Sequence, residues 1–245
     1  MTLEGRPWAL TKMLRRVSRT SDTPLECRGV KFPEDSNIIS PRVRESIVAG
    51  RYESKEATQV EKLIKEGDRI LEIGSGLGFI STIAARDPRT ESILCYEADP
   101  RLIGYIKSVH ELNGIQKTAV RNAALTTDLS YSELTFYIRK NFWGSSFSKT
   151  AGEYQSTAVV PTQSFNEVIQ EFRPTFIVCD IEGAEVELFM NADLPGVTRV
   201  LMEIHSRVVG RAGIKRLFDA MSARDFHYDE FHSHGSVVLF SHVQL

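Results

Sequence analysis

From position 68 onward, short apolar runs alternate with stretches whose apolar residues recur every three or four positions. The runs RILEIG (69–74), SILCYE (92–97), TAVRNA (118–123), TFIVCD (175–180) and RVLMEI (199–204) have the length and content of strands. Helical spacing lies between most of them, near 78–87, 100–113, 164–171 and 184–190. This alternation predicts βαβ units around a parallel sheet. After a further helix near 212–223, FHYDEF and SVVLFS, separated by HSHG, predict two antiparallel strands on one edge. The expected fold class is α/β: a doubly wound, mostly parallel seven-stranded sheet with an antiparallel C-terminal hairpin. Residues 131–161 break the rhythm, with SELTFYIRK and STAVVP strand-like and FWGSSFSK a loop between them.

The first fifty residues follow another pattern. WALTKMLRRVSR spaces Leu10, Met13, Leu14 and Val17 among basic residues, which predicts a short amphipathic helix packed on the main domain. Pro24, Pro33 and Pro41 predict irregular chain from there to a helix near 54–65. The expected organisation is a helical cap over 1–50 and one domain over 51–245. Composition adds little: 42% hydrophobic, 25% charged and a formal charge of −2 give no sign of a nucleic-acid or membrane partner. With no apolar run near the roughly 18 residues of a span and no signal-peptide pattern, a cytoplasmic location is expected. Cys27, Cys95 and Cys179 are too dispersed for a zinc or redox site, and Cys95 and Cys179 sit inside apolar runs as buried thiols would.

Candidate chemistry begins in DRILEIGSGLGFIS, a strand, a glycine turn and a helix start. Gly74, Gly76 and Gly78 allow positive φ and close approach of backbone to a ligand, and the helix that follows aims free N–H groups at the turn. Nineteen residues beyond Gly78, Glu97 ends the second strand, where a carboxylate can accept both hydroxyls of a ribose. A dinucleotide site would need a third glycine at position 79, which is Phe79. The sequence E-x-G-x-G, with Glu72 on the strand, instead resembles motif I of class I S-adenosylmethionine-dependent methyltransferases.

More narrowly, LEIGSGLGF, YEADP, HELNG, NAAL, FWGSS, DIEGAE and LMEIH together resemble the FkbM methyltransferase family. The resemblance covers about residues 52–205 and implies a Rossmann-like domain. It implies S-adenosylmethionine as cofactor, S-adenosylhomocysteine as product, and a hydroxyl of a sugar or small metabolite as acceptor. It places Glu72, Gly74, Ser75 and Gly76 near the methionine part, Glu97 on the ribose, and Asn122 with Ala123 near the adenine. Two positions depart from the family pattern, Glu72 where Asp is common and Leu77 where Asn is common; both substitutions keep the chemistry needed.

Ligands of an open α/β sheet gather outside the carboxyl ends of its strands. Asp180, Glu203 and His205 should therefore converge there, with His205 as the base for a hydroxyl acceptor and a carboxylate to orient it. Glu182 is either a substrate contact or part of a helix start, and Glu185 and Glu187 belong to the first turn of the next helix. The same cluster of Asp180, Glu182, Glu203 and His205 could instead hold Mg²⁺ or Mn²⁺, an alternative set behind the metal-free reading. Tyr52, Glu53 and Glu56 precede the first strand and could fold over the cofactor. Trp143, Ser145, Ser146 and Phe147 suit a lid. Two rival readings stay open: an NAD(P)-dependent oxidoreductase, and a cofactor-binding or scaffolding protein without turnover.

Overall fold

The computed structural model describes residues 23–150 and 152–243; the expected basic helix over 8–19 lies outside them. Chain entry is more regular than the three prolines suggest. β1 (Leu25–Cys27) and β2 (Val30–Phe32) form a small antiparallel hairpin whose turn, Arg28 and Gly29, has positive φ at both residues. α1 (Pro41–Val48) then starts at Pro41 itself, with the Ser40 side chain accepting from Val43 N. Proline at the first helical position surrenders an N–H that has no helical partner, so it initiates here rather than breaks. Leu25, Phe32, Val43 and Ile47 are buried in the same core as Ile70 and Phe79 of the main domain.

α2 (Ser54–Leu63) leads into the alternating part: β3 (Asp68–Ile73), α3 (Phe79–Arg86), β4 (Thr90–Glu97), α4 (Pro100–Leu112) and β5 (Thr118–Asn122). β6 (Ala124–Thr126), β7 (Glu133–Ile138) and β8 (Ser156–Ser164) leave the main sheet and form a three-stranded one. The main sheet resumes with α5 (Phe165–Phe172), β9 (Phe176–Cys179), α6 (Glu185–Met190), β10 (Arg199–Glu203), α7 (Ser206–Ser222), β11 (Phe226–His234) and β12 (Val237–His242). α7 begins earlier than its apolar pattern predicts and is broken at Gly210, whose φ of 64° and ψ of 176° are not helical.

The seven strands run in the order β11, β12, β10, β9, β3, β4, β5. β10, β9, β3, β4 and β5 are parallel; β12 pairs antiparallel with both β10 and β11, so it alone of the seven runs the other way. β11 continues to His234 past an irregularity between Asp229 and His234, so the hairpin turn is shorter than the HSHG loop expected. Alternation along the strands divides the core. Ile70, Ile93, Val178 and Leu201 face α2, α3 and α4; Leu71, Leu94, Ile177 and Val200 face α5, α6 and α7. Such burial on both faces accounts for the near-continuous apolar runs of β3, β4, β9 and β10. All three cysteines are free and buried. No helix among the described residues is long and apolar enough to cross a membrane.

Candidate active site

The carboxyl ends of β3, β4, β9 and β10 open into a cleft of about 1150 Å³. This exceeds the roughly 300–1,000 Å³ of a usual small-molecule site, so it has space for two ligands side by side. Sheet order sets the end of β4 on one side of β3 and the ends of β9 and β10 on the other.

On the β4 side, Glu97 is 8% exposed and lines the cleft. Its two carboxylate oxygens accept from Gly76 N at 2.9 Å and Asp99 N at 2.8 Å, so they fix the glycine turn against the start of α4. Burial raises its pKa to about 7, against the opposing pull of those two N–H groups. Ala123 faces the cleft, whereas Asn122 spends its amide on the carbonyls of Glu97 and Ala98 at 2.9 and 3.0 Å, holding that loop in place.

The glycines have separate tasks. Gly76 faces the cleft, and a Cβ built there would lie 3.7 Å from both Tyr52 OH and Glu53 Oε1 and 3.8 Å from the Phe142 ring. Those three groups form the roof over the turn. Gly74, with φ of 85°, is needed for packing: a Cβ there would come 1.7 Å from the carbonyl oxygen of Asp180. Gly78 starts α3 and abuts Ile106 of α4, away from the ligand space. Glu72 braces the turn from below, with Oε1 accepting from Ser81 N at 2.8 Å. Its Oε2 is buried without a hydrogen-bond partner. Glu72 and Ser75 line a void of about 20 Å³ together with Glu53, Glu56, Asp180 and Glu203. That volume holds a single water or a small cationic group. Burial raises the carboxyls of Glu72, Glu53 and Glu56 above their ordinary values.

On the other side, Asp180, Glu182, Glu203 and His205 line the cleft together, as expected from the strand ends. The route differs from the expected one. β10 stops at Glu203, and His205 precedes the first turn of α7 instead of extending the strand. His205 Nδ1 lies 2.7 Å from Glu185 Oε1, while Nε2 is 3.3 Å from Glu182 Oε2 and 3.7 Å from Asp180 Oδ1. Glu203 Oε1 accepts from Ser236 Oγ at 2.9 Å. Desolvation pulls the imidazole pKa down, but the Glu185 hydrogen bond and the charges of Glu182 and Asp180 outweigh it and lift the value to about 9. Desolvation, then the charges of Glu203 and Glu182, push Asp180 well above the usual carboxylate range, and Glu182 is raised mainly by desolvation. In the free protein His205 therefore carries its proton at neutral pH.

Glu185 has a second task that its expected place in a helix start did not reveal. It does lie in the first turn of α6, yet it is fully buried, accepts from Gly183 N at 3.0 Å and orients His205. The signal was present: Glu185, Leu188, Phe189 and Ala192 follow the i, i+3, i+4, i+7 spacing of a buried helix face. Glu187, by contrast, is exposed and pairs with Arg216.

The lid segment is a 3₁₀ turn, Phe142–Gly144, followed by Ser145 and Ser146. Phe142 and Trp143 stack edge to face at 5.4 Å and line the cleft. Ser145 and Ser146 also line it, but their hydroxyls serve Arg139: Ser145 Oγ accepts from Arg139 N at 2.9 Å and Ser146 Oγ from its guanidinium at 3.2 Å. Arg139, 7% exposed, also donates to the Ser148 carbonyl at 2.8 Å. Phe147 packs on Phe136 of the small sheet.

A doubly wound sheet with a glycine turn after its first parallel strand, and an acid ending the next, is a nucleotide-binding architecture that class I S-adenosylmethionine-dependent methyltransferases share. Sequence comparison agrees: the Methyltransferase FkbM domain matches residues 74–238. The chain belongs to the FkbM methyltransferase family. Among curated proteins none matches its sequence. Among solved structures, Trm5b from Pyrococcus abyssi aligns with a TM-score of 0.50 and 11% identity, covering 91% of this chain and 56% of that one. Precorrin-6y C5,15-methyltransferase from Geobacter metallireducens aligns at 0.49 and 10% identity, covering 86% and 94%. Ribosomal protein L11 methylase from Lactobacillus delbrueckii subsp. bulgaricus aligns at 0.48 and 13%, covering 78% and 77%. At 11% identity the likeness to Trm5b is one of fold.

Proposed function

We propose that this protein transfers the methyl group of S-adenosylmethionine to a hydroxyl of a small polar metabolite or sugar. The observation that carries the reading is one cleft with two differently equipped sides: Gly76, Glu97 and Ala123 on one, and Asp180, Glu182, Glu203 and His205 on the other. Glu97 accepts the ribose hydroxyls, and Ala123 leaves space for the adenine. The unpartnered Glu72 Oε2 and the void beside it suit the ammonium of the methionine part, directly or through one water. Tyr52 and Glu53 close over the turn, and Phe142 with Trp143 covers the cleft.

Transfer from a sulfonium is an in-line displacement, and holding oxygen, methyl and sulfur in line supplies much of the catalysis. The hydroxyl's proton passes to the cluster around His205, which Glu185 keeps turned toward the cleft. Arrival of the cationic cofactor in the same cleft disfavours the imidazolium and so frees the ring of its own proton beforehand; transfer leaves the cofactor neutral and removes that opposition as the acceptor's proton arrives. Thr126, Thr127 and Asn191 add hydrogen-bonding groups suited to a polyhydroxylated acceptor. Among the described residues, the acids lining the cleft, Asp128 and Glu187 among them, outnumber the one arginine, Arg42, and would repel a phosphate backbone; this favours a small acceptor over nucleic acid.

The test combines calorimetry with an acceptor screen. The wild type should bind S-adenosylmethionine 1:1 and transfer labelled methyl to a component of a metabolite or sugar extract. His205→Ala should bind the cofactor normally and turn over at least about tenfold more slowly. Wild-type turnover in that variant would remove His205 from the chemistry. Binding of NAD(P) in place of S-adenosylmethionine would overturn the assignment altogether.

A further inference from the structure

Four carboxyl groups crowd around His205 on the acceptor side of the cleft. Among the described residues, no lysine or arginine forms an ion pair with Asp180, Glu182, Glu185 or Glu203; their cationic neighbour is the single imidazole. Asp180, Glu203 and His205 each present a donor atom, and these atoms lie within 4.8 Å of one another. Asp180 Oδ1 and His205 Nε2 are 3.7 Å apart. That is too long for a hydrogen bond but suits two ligands on one ion at bond lengths of about 2.1 Å.

Three further observations point the same way. Asp180 Oδ1 is shielded from solvent and has no hydrogen-bond partner. Glu185, with no part exposed, also keeps one oxygen, Oε2, without a partner. Finally, the buried Glu185 carboxylate sits on His205 Nδ1, which leaves Nε2 turned to Asp180 and Glu182. A carboxylate on the far nitrogen is the usual companion of a metal-bound histidine, since it fixes the tautomer and the ring plane.

We propose that Asp180, Glu203 and His205 bind a divalent cation of the Mn²⁺ type at the acceptor side of the cleft. Two carboxylates and one imidazole form a mixed oxygen–nitrogen set that suits Mn²⁺ better than the thiolate-preferring metals. In binding, the ion replaces the proton on Nε2. Glu185 is then a positioning residue for the ion, acting through the histidine. The role of the ion in catalysis rests on the methyltransferase reading above; its binding does not. An acceptor hydroxyl on the ion becomes more acidic. As its O–H bond breaks, the proton goes to Glu182; the oxygen forms the bond to the methyl carbon, and the S–CH₃ pair leaves with the sulfur as a neutral thioether.

The experiment titrates Mn²⁺ into the full chain and follows loss of the free-ion electron paramagnetic resonance signal. One ion per chain should bind, and the bound spectrum should show coupling to an imidazole nitrogen that disappears in His205→Ala. Asp180→Asn and Glu203→Gln should each weaken binding roughly tenfold or more, Glu185→Gln by roughly 10–100-fold, and the exposed Glu171→Gln not at all. No saturable binding at millimolar Mn²⁺, no nitrogen coupling in the wild type, or unchanged affinity in both Asp180→Asn and Glu203→Gln overturns the proposal. Calorimetry with S-adenosylmethionine on the same samples separates the two readings. Cofactor binding without Mn²⁺ removes only the ion; Mn²⁺ binding without the cofactor leaves the ion site and removes the methyltransferase assignment.

Discussion

Glu185 Oε1 meets His205 Nδ1 at 2.7 Å, with no part of Glu185 exposed and its other oxygen unpartnered. A fully buried carboxylate is costly unless it is paired, and here the imidazole is its pair. Each residue therefore depends on the other for its state: the histidine for its orientation, the glutamate for its charge.

Glu185→Gln keeps the shape and removes that charge. Turnover should fall roughly 10–100-fold while affinity for S-adenosylmethionine stays within about twofold, because Glu185 does not border the cofactor side. Steady-state kinetics beside calorimetry checks the split. Equal losses in both would show that the variant disturbs the fold and not the imidazole.

Glu97 sets a pH dependence. Burial holds its carboxyl at about 7, above the ordinary 4.5, so in the cofactor-free protein its contribution to stability is fully present below 4.5 and is lost as pH rises through about 7. Under the proposed function ribose binding should run the other way, because it would use the ionised carboxylate. Affinity for S-adenosylmethionine should decline as pH falls below about 7, by up to about tenfold per unit, and Glu97→Gln should flatten that decline while lowering affinity throughout. Calorimetry at pH 6, 7 and 8 decides the point.

Gly74 answers to sterics. A methyl group there would collide with the Asp180 carbonyl, and the φ of 85° is itself unfavourable for any other residue. Gly74→Ala should cost about 3 kcal/mol or more, measured by chemical denaturation. A stability near that of the wild type would mean that β3 and β9 are not locked at this point.

Trp143 is half-buried, and its removal should leave the fold intact to within about 1 kcal/mol. Ligand covering should suffer instead: Trp143→Ala should raise the acceptor KM or the cofactor Kd by about fivefold or more. Unchanged values for both ligands would make the segment an ordinary surface turn.

How far the sequence could be read depended on the length of each pattern. β3, β4, β9 and β10 are apolar runs buried on both faces, and the helices between them repeat their apolar stripe over several turns, so both were legible. β1 and β2 are three residues each, too short for any period to show, and only the positive-φ pair Arg28 and Gly29 marks their turn. Ser40 and Pro41 together spell a helix start that proline alone seemed to deny. At the site, strand-end placement put Asp180, Glu203 and His205 in one place, but only three dimensions show that Asn122 and the lid serines Ser145 and Ser146 spend their polar groups on the protein. Arg139 gives no linear sign at all, since it depends on carbonyls nine and thirteen residues ahead that converge once the strands pair.

The small sheet of β6, β7 and β8 has its own apolar centre in Ala124, Phe136, Ile138 and Val160, and it carries the Phe142–Ser146 lid. The glycine turn and the His205 cluster belong to the other, larger sheet. The lid over the cleft and the two groups of residues at its floor thus stand on separate foundations. Substitutions in the small sheet can reshape what enters the cleft without disturbing the geometry of transfer, which makes it the natural region in which to retarget the enzyme toward a new acceptor.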